Sequence, residues 1–447
     1  MKFFRDVLGT FTTEIAIVGL NFSIGVLFAR LLPPTDRGIL ALVLLLPVTL
    51  AYFADLGVSQ AIVYLLGRKK RSLEAVAGTT LALALLLGGV AALVMWLARA
   101  WILPAFFKSV PSSYYLFALG LLPVLLLDTY LLSILRGQQR FAVFNFRRLL
   151  TPVFLLAGVI FLTGVGGLGV RGAVIAFAIS TLLGLLLSFW FVGYSVAHTS
   201  ETSLRLRFQP SLAGEAVAFG LKSYAQNLVG HLHYRLDVYL LALFLPPAQV
   251  AFYAIATAVA EVAFYLPDSV GTVLFPKLSA EREERIHELT AEVSRHTLWI
   301  TALATLGLLA AGGWLIPLAY GQAYRPAIAP FMVLMPGCLA MAVYKILTRN
   351  FTSRNRQQVS ILAASVSLVS NIALNILLIP RMGVIGAALA SLISYTTAAT
   401  ILALIFRRET GIPLKQILII RRADLSRYAE AWSQISRRSR IGLKVEG

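Results

Sequence analysis

Runs of about 20 or more apolar residues, each long enough to cross the ~30 Å hydrocarbon core of a bilayer, recur along the whole of this 447-residue chain. No water in that core can satisfy a stray backbone N–H or C=O, so such runs fold as helices whose hydrogen bonds close within the segment. The composition agrees: 58% of residues are hydrophobic and only 13% are charged, and the mean hydropathy is +0.81. An all-α polytopic membrane protein is expected. Twelve spans are read: Val7–Leu31, Gly38–Leu66, Ala75–Ala98, Tyr114–Leu135, Leu149–Leu162, Val170–Val196, Val217–Leu245, Val250–Leu274, Thr297–Leu318, Ala327–Leu347, Val359–Ile379 and Val384–Phe406. The fifth is short and interrupted by Pro152 and Gly158. Met1–Asp6 is short and polar and the apolar run behind it is too long for a cleavable leader.

Basic residues set the expected orientation. With the N-terminus cytoplasmic, the loops and tail on that side carry 29 Lys and Arg, the opposite side carries 7 (Arg30, Arg37, Arg99, Lys108, Arg171, Arg325, Arg381), and three (Lys222, Arg235, Lys345) fall within spans. This asymmetry places both termini in the cytoplasm. It also accounts for the net charge of +19 without nucleic acid, through contact with anionic lipid. The tail from Arg408 is basic and only locally apolar, over Ile412–Ile420, and reads as a helix lying on the cytoplasmic leaflet. The single cysteine, Cys338, leaves no intramolecular disulfide.

The chain is internally repeated. Gly169-Val-Arg-Gly-Ala-Val-Ile-Ala matches Gly383-Val-Ile-Gly-Ala-Ala-Leu-Ala at an offset of 214, and Leu32-Pro33-Pro34 and Asp55 match Leu245-Pro246-Pro247 and Asp268 at 213. Each half holds six spans, so the halves enter the membrane in the same sense, as parallel repeats with a path between them. The expected domains are residues 1–197, a cytoplasmic linker 198–214, residues 215–407 and the tail 408–447.

Several chemistries are disfavoured. The longest loop on the outer side, around Arg99–Ser113, has about fifteen residues, too little for an extramembrane catalytic platform. No phosphate-binding GxxxxGK[ST] and no HExxH occurs. His231 and His233 point about 160° apart on a helix, a poor pair for one metal. His287 and His296 fall in the charged stretch Glu281–His296, read as a solvated helix extension. The chain is expected not to be an enzyme and to hold no metal or cofactor beyond a coupling proton or sodium ion.

The seventh span is the exception to the apolar rule: it carries Lys222, Gln226, Asn227, His231, His233, Arg235 and Asp237. A charge at the bilayer centre costs roughly 2.5–3.5 kcal/mol on insertion scales, so several in one span face a partner, a wet cavity or a ligand. At about 100° per residue, Lys222, Gln226, His233 and Asp237 form one stripe and Asn227, His231 and Arg235 a second. Either stripe fits pairing with acids on neighbouring spans; so many cationic or titratable groups together fit ligand binding better. The acids within spans are Glu14, Asp55, Asp128, Asp237, Glu261 and Asp268. Asp55 and Asp268 fit helix capping beside Gly57 and Pro267, or a cation or proton site. Lys345 and Arg349 suit snorkelling to the interface, and Arg30 suits snorkelling or headgroup contact.

Ala29-Arg30-Leu31-Leu32-Pro33-Pro34 with Gly38, then Ala54-Asp55-Leu56-Gly57-Val58, resembles the opening of bacterial polysaccharide-export (Wzx-type oligosaccharide) flippases of the multidrug/oligosaccharidyl-lipid/polysaccharide (MOP) exporter superfamily. Tyr234-Arg235-Leu236-Asp237-Val238-Tyr239-Leu240-Leu241 resembles their seventh span, Tyr253 with Phe275-Pro276-Lys277-Leu278-Ser279 their eighth, and the repeated Gly-Val-x-Gly-Ala-x-x-Ala their sixth and twelfth. The resemblance implies two six-helix bundles in a V around a cavity lined by spans one, two, seven and eight. It implies transfer of an undecaprenyl-pyrophosphate-linked oligosaccharide between leaflets of the bacterial inner membrane by alternating access, with a polysaccharide polymerase as a possible partner.

On that reading Lys222, Arg235 and Arg30 attract pyrophosphate, Arg through its planar fork. Gln226, Asn227, His231, His233, Tyr224 and Tyr234 receive sugar, and Glu14, Asp55, Asp237, Glu261 and Asp268 serve ion coupling or structure. Lipid II flippases of the superfamily generally carry two further C-terminal spans where this chain has a basic tail, which favours the oligosaccharide branch. A cation-coupled multidrug antiporter, whose cavity tends to be acidic and aromatic, is the second reading, and a non-transporting scaffold the third. At the repeat offset Lys222, His231, Arg235 and Asp237 face Gly9, Val18, Phe22 and Ile24, so the polar face is not duplicated with the fold.

Overall fold

A computed structural model describes residues 2–67, 71–199, 208–279, 281–421 and 424; the side chains of 2–8, 198–199, 222–223, 225–227, 276, 279 and 283–284 are outside that description. Every regular element in it is helical. Among the described residues, eleven helices are long and apolar enough to cross a membrane. The seventh span, Pro210–Phe244, has the length at 35 residues but is not among those eleven, because polar side chains dilute its hydropathy. The twelve expected spans are thus all present as helices, most extended at their ends.

The departures have local causes. The second span breaks into Pro34–Asp55 and Val58–Gly67. Leu56 at φ 47° and Gly57 at φ 75° turn the chain left-handed there, a conformation glycine adopts without penalty. A side chain on Gly57 would also run into the backbone of Gly220 in the seventh span. The fifth span, Phe141–Gly158 continued by a π-helical stretch Val159–Val165, is longer at both ends than the sequence reading and passes through Pro152 without stopping. The eighth runs Pro247–Ala260, then a 3₁₀ segment Glu261–Phe264, then Tyr265–Ser279. Pro267 lacks the N–H that would bond to Ala263, which tightens the preceding turn.

The helices fall into two compact units, described in turn. The first contains Met1–Ala258, Gly312–Phe331 and Leu368–Ala390. Its inner core joins the two segments of the second span to the third, fourth and sixth through Ala54, Ile62, Val76, Leu126, Tyr130 and Leu185. Small residues let these helices approach closely, as membrane helix packing requires. One polar knot lies inside. Arg147, 1% exposed, pairs with Asp128, donates from Nε to Ser188 at 2.8 Å and from Nη1 to Thr151 at 2.5 Å, while Ser188 donates to Asp128 at 2.7 Å. Gly184 leaves the room that the guanidinium fills. From sequence Arg147 belongs with the loop cations; it lies inside because the fifth span starts at Phe141.

The second unit contains Val259–Ala311, Met332–Ser367 and Ser391–Gly447. Its core gathers Ala291, Leu347, Phe351, Ala363, Leu402, Phe406 and Ile417. The ninth span begins at Glu283, and its first turns are packed rather than solvated: Thr290, Ser294 and Arg295 are buried, and Asn350 donates to Thr290 at 2.9 Å and meets His287 Nδ1 at 3.3 Å. Nor does the segment after the twelfth span lie free on the leaflet. Leu414–Leu418 forms a short helix with Ile417 in the core. Trp299 Nε1 donates to the Leu418 carbonyl at 2.9 Å, and Arg295 donates to Gln416 O at 2.5 Å and to both oxygens of Asp424 at 2.6 and 2.9 Å. The basic stretch 425–447, where leaflet contact is also expected, lies outside the described residues.

Two outcomes are expected. Arg147→Ala leaves Asp128 in the interior without its cation and should destabilise the protein by about 3–5 kcal/mol, whereas replacing both partners with apolar residues should cost less; thermal unfolding in detergent measures both. The Arg295 hydrogen bonds hold the Asp424 carboxyl down to about 2. A lowered folded value means that its stabilisation is complete above the unfolded carboxylate value of ~3.9 and disappears as pH falls through about 2. Protease access to the 411–424 segment should therefore stay constant from pH 9 to about 4 and rise only below, while Asp424→Asn should raise it at every pH.

Candidate functional site

The seventh span presents its polar residues to different surroundings within the first unit. On the His231 face, the ring stacks on Tyr52 of the second span at 4.1 Å between centroids and 15° between planes, and Nε2 lies 3.1 Å from Thr49 Oγ1. Arg235 follows one turn later, half-buried on that side. Toward the start of the span, Tyr224 donates to the Phe53 carbonyl at 2.9 Å and Phe219 stacks on Tyr64 at 4.3 Å. The side chains of Lys222, Gln226 and Asn227 lie outside the described ones.

His233 and Asp237 point inward instead, 4% and 2% exposed. Tyr253 donates to Asp237 Oδ2 at 2.7 Å and Asn375 Nδ2 to Oδ1 at 3.0 Å. Asn375 Nδ2 also reaches Asn371 Oδ1 at 2.9 Å, and Asn375 Oδ1 is buried with no hydrogen-bond partner. Asn375 Nδ2 thus bridges the Asp237 carboxylate and the Asn371 amide oxygen in one enclosed place, so neutral donors hold the carboxylate. Tyr234 is half-buried beside the His233 ring, with centroids 5.6 Å apart.

The other proposed acids are dispersed. Glu14 pairs with Arg148. Asp55 accepts from Ser59 N at 3.0 Å and Ser59 Oγ at 2.8 Å, which caps the Val58–Gly67 helix. Its repeat mate Asp268, in the second unit, does different work: it accepts from Lys345 Nζ at 2.8 and 2.7 Å. Lys345, read from sequence as snorkelling, sits 14% exposed with its ammonium 4.7 Å from the Phe264 ring centre. Glu261 opens the 3₁₀ segment of the same span. Arg30 is exposed and donates to the Ala319 carbonyl at 2.8 Å and to the Leu318 carbonyl. The structure thus gathers His231 and Arg235 near Thr49 and Tyr52, gathers Asp237 with Tyr253, Asn371 and Asn375, and leaves Glu14, Asp55 and Arg30 elsewhere. Asn371 and Asn375, four apart and so on one face of the eleventh span, were the available signal for the Asp237 site.

Comparison with known proteins fits this geometry. The pattern of the polysaccharide biosynthesis protein family matches residues 27–329. The chain is 24% identical over 201 residues to a probable low-salt glycan biosynthesis flippase, Agl15, of Haloferax volcanii, covering 44% of this chain and 42% of that protein. It is 26% identical over 173 residues to a probable flippase, AglR, of the same organism, covering 36% and 35%. The alignments thus span less than half the length of either relative. Among solved structures, the lipid II flippase MurJ in an inward closed conformation superposes with a TM-score of 0.75 at 16% identity over 93% of this chain and 89% of MurJ. An inward-facing multidrug resistance transporter of the MATE family gives 0.72 at 17% identity over 88% and 94%. With the helical fold shared with these transporters and the family pattern covering most of its length, this multi-pass membrane protein belongs to the polysaccharide biosynthesis protein family.

Proposed function

We propose that the protein is a flippase carrying a polyprenyl-pyrophosphate-linked oligosaccharide from the cytoplasmic to the outer leaflet, acting as a transporter and not as an enzyme. The observation that carries this reading is the half-buried His231 and Arg235 face of the seventh span, set against Thr49 and Tyr52 in a family of polysaccharide biosynthesis proteins. Arg235 supplies a planar donor fork for phosphate oxygens. Tyr52 and the His231 ring offer flat faces and Thr49 a hydroxyl, the kinds of group that receive a sugar. Lys222, Gln226 and Asn227 extend the same helix toward the cytoplasmic end, which the excess of basic loops assigns to the side of both termini. The lipid tail stays in the bilayer, and a polymerase acting on the delivered unit is the natural partner. The likeness to glycan flippases and to MurJ supports the transport of a lipid-linked cargo.

The buried Asp237 carboxylate, held by the neutral donors Tyr253 and Asn375, supports a coupling proton or sodium ion on the cargo-binding helix. Asp268 is the weaker candidate, because Lys345 already neutralises it.

In a host that lacks its own exporter, Arg235→Ala should cut surface polysaccharide by about tenfold or more at normal protein abundance, the loss expected of a charge-assisted phosphate contact. Wild-type polymer in that variant would remove Arg235 from the cargo site. Transport in proteoliposomes should respond to an imposed proton or sodium gradient, and Asp237→Asn should abolish that response while the protein stays folded. Movement of a cationic dye, with no movement of polyprenyl-pyrophosphate sugars, would replace the flippase reading by an antiporter.

A further inference from the structure

At the end of the first unit away from the basic loops, two helices finish side by side and each is completed by the other. The first span ends at Leu31 and the ninth at Tyr320. A helix leaves its last carbonyls without partners of its own, and the first span is worse placed than most, because Pro33 and Pro34 behind it carry no N–H. Tyr324, in the 3₁₀ turn Gln322–Ala327 that follows the ninth span, donates its hydroxyl proton to the Leu32 carbonyl at 2.8 Å. In return Arg30, in the last turn of the first span, donates to the Leu318 carbonyl and to the Ala319 carbonyl at 2.8 Å. Its cation also complements the negative end of the ninth helix. The partners are 288 to 292 residues apart in sequence, so neither cap follows from local chain geometry.

The exchange is closed in by packing. Tyr320 meets Phe22 edge-on at 6.0 Å between centroids and Tyr324 meets Phe252 at 6.2 Å, and both tyrosines are buried. Gly38, at the start of the second span, lies so near the first residue of the eighth that a Cβ would run into the Pro247 backbone. The first, second, eighth and ninth spans thus share one seam, drawn from both copies of the internal repeat.

The seam differs from the polar knot around Arg147 in one respect: its acceptors are neutral. Parting Arg147 from Asp128 separates opposite charges inside the unit. Parting Arg30 from the Leu318 and Ala319 carbonyls separates none. Arg30 is exposed at the end of its span, where water can replace both sides of each cap. We propose that the exchanged caps are a latch that keeps the outer end of the first unit closed and parts when cargo leaves, with Arg30 and Tyr324 as positioning residues that hold helix ends and not cargo. The release step rests on the flippase reading; the closed and parted states of the latch are measured without cargo.

The test places spin labels at Thr35→Cys and Arg325→Cys, exposed turn positions on the two sides of the seam, in the full chain with Cys338→Ser, in phosphatidylcholine nanodiscs. Pulsed electron spin resonance then reads the ratio of long to short distances. Arg30→Ala should raise that ratio about tenfold and Tyr324→Phe about threefold, the losses expected for a charge-assisted and a neutral hydrogen bond. Arg30→Lys should fall between wild type and Arg30→Ala, since it keeps the charge and loses the fork. Gly38→Val, which cannot close against Pro247, should give mostly the long distance and so calibrates the open state. Arg381, an exposed cation at the end of the eleventh span, caps only its own helix through the Leu377 carbonyl, and Arg381→Ala should change the ratio less than about twofold. Wild-type distances in both Arg30→Ala and Tyr324→Phe would overturn the proposal, as would a drop in unfolding temperature with no change in distance, which makes the caps purely structural. A change in Arg30→Ala that appears only when farnesyl diphosphate is added would make Arg30 a cargo ligand and overturn the latch. If Arg30→Ala does not yield monodisperse protein, Arg30→Lys and Tyr324→Phe carry the same comparison. Each of these failures leaves the flippase reading intact; that reading fails separately, if a protein whose distances shift as expected moves no polyprenyl-pyrophosphate sugar.

Discussion

Taking a guanidinium or a carboxylate out of water costs several kcal/mol even after the protein relaxes, and in a chain that is mostly lipid-length helix this cost must be met residue by residue. The compensations take several forms. Arg147 is enclosed by Asp128, Ser188 and Thr151, Lys345 by Asp268, and Arg295 by Asp424 and a backbone carbonyl. Asp237 is held by neutral donors, Tyr253 and Asn375. Arg30 and Arg37 meet only carbonyls and aromatic rings. The first kind fixes helices against one another. Ion pairs of the first kind and neutral contacts of the other two thus divide the charged groups between them.

This division also explains why the duplicated halves are unequal. Asp55 and Asp268 occupy equivalent repeat positions, yet one caps a helix segment and the other neutralises a lysine. A helix start needs an acceptor whatever passes through the protein, whereas an intramembrane ammonium needs a carboxylate only in the half that carries it. The polar face of the seventh span has no counterpart in the first, so duplication preserved the frame while the charges were set by local demand.

Much of the frame was legible because hydropathy is a property of consecutive residues: each of the twelve expected spans is helical, and Gly57 and Pro267 marked the neighbourhoods of the breaks in the second and eighth. What the sequence hid depends on proximity in space. Nothing local tells that Arg147 lies opposite Asp128, or that Asp237 meets Tyr253 and Asn375. The nine residues Ile412–Ile420 suit a lipid surface and a protein groove equally well, and only the Ile417 contacts and the Trp299 hydrogen bond decide. The helical-wheel stripes were informative in a different way: they separated His233 and Asp237 from His231 and Arg235, and the structure sends the first pair into the interior and sets His231 against the second span.

The clasp between Arg295 and Asp424 moves the boundary of the folded body. By hydropathy the last membrane helix ends at Thr410, and a chain cut there would keep every span. It would also strip Arg295 of the only carboxylate paired with it among the described residues, uncap Trp299 and open the space that Ile417 fills. The smallest version of this protein that keeps its interior electrically balanced therefore runs through residue 424, and any fusion partner or deletion at the C-terminal side has to begin beyond it.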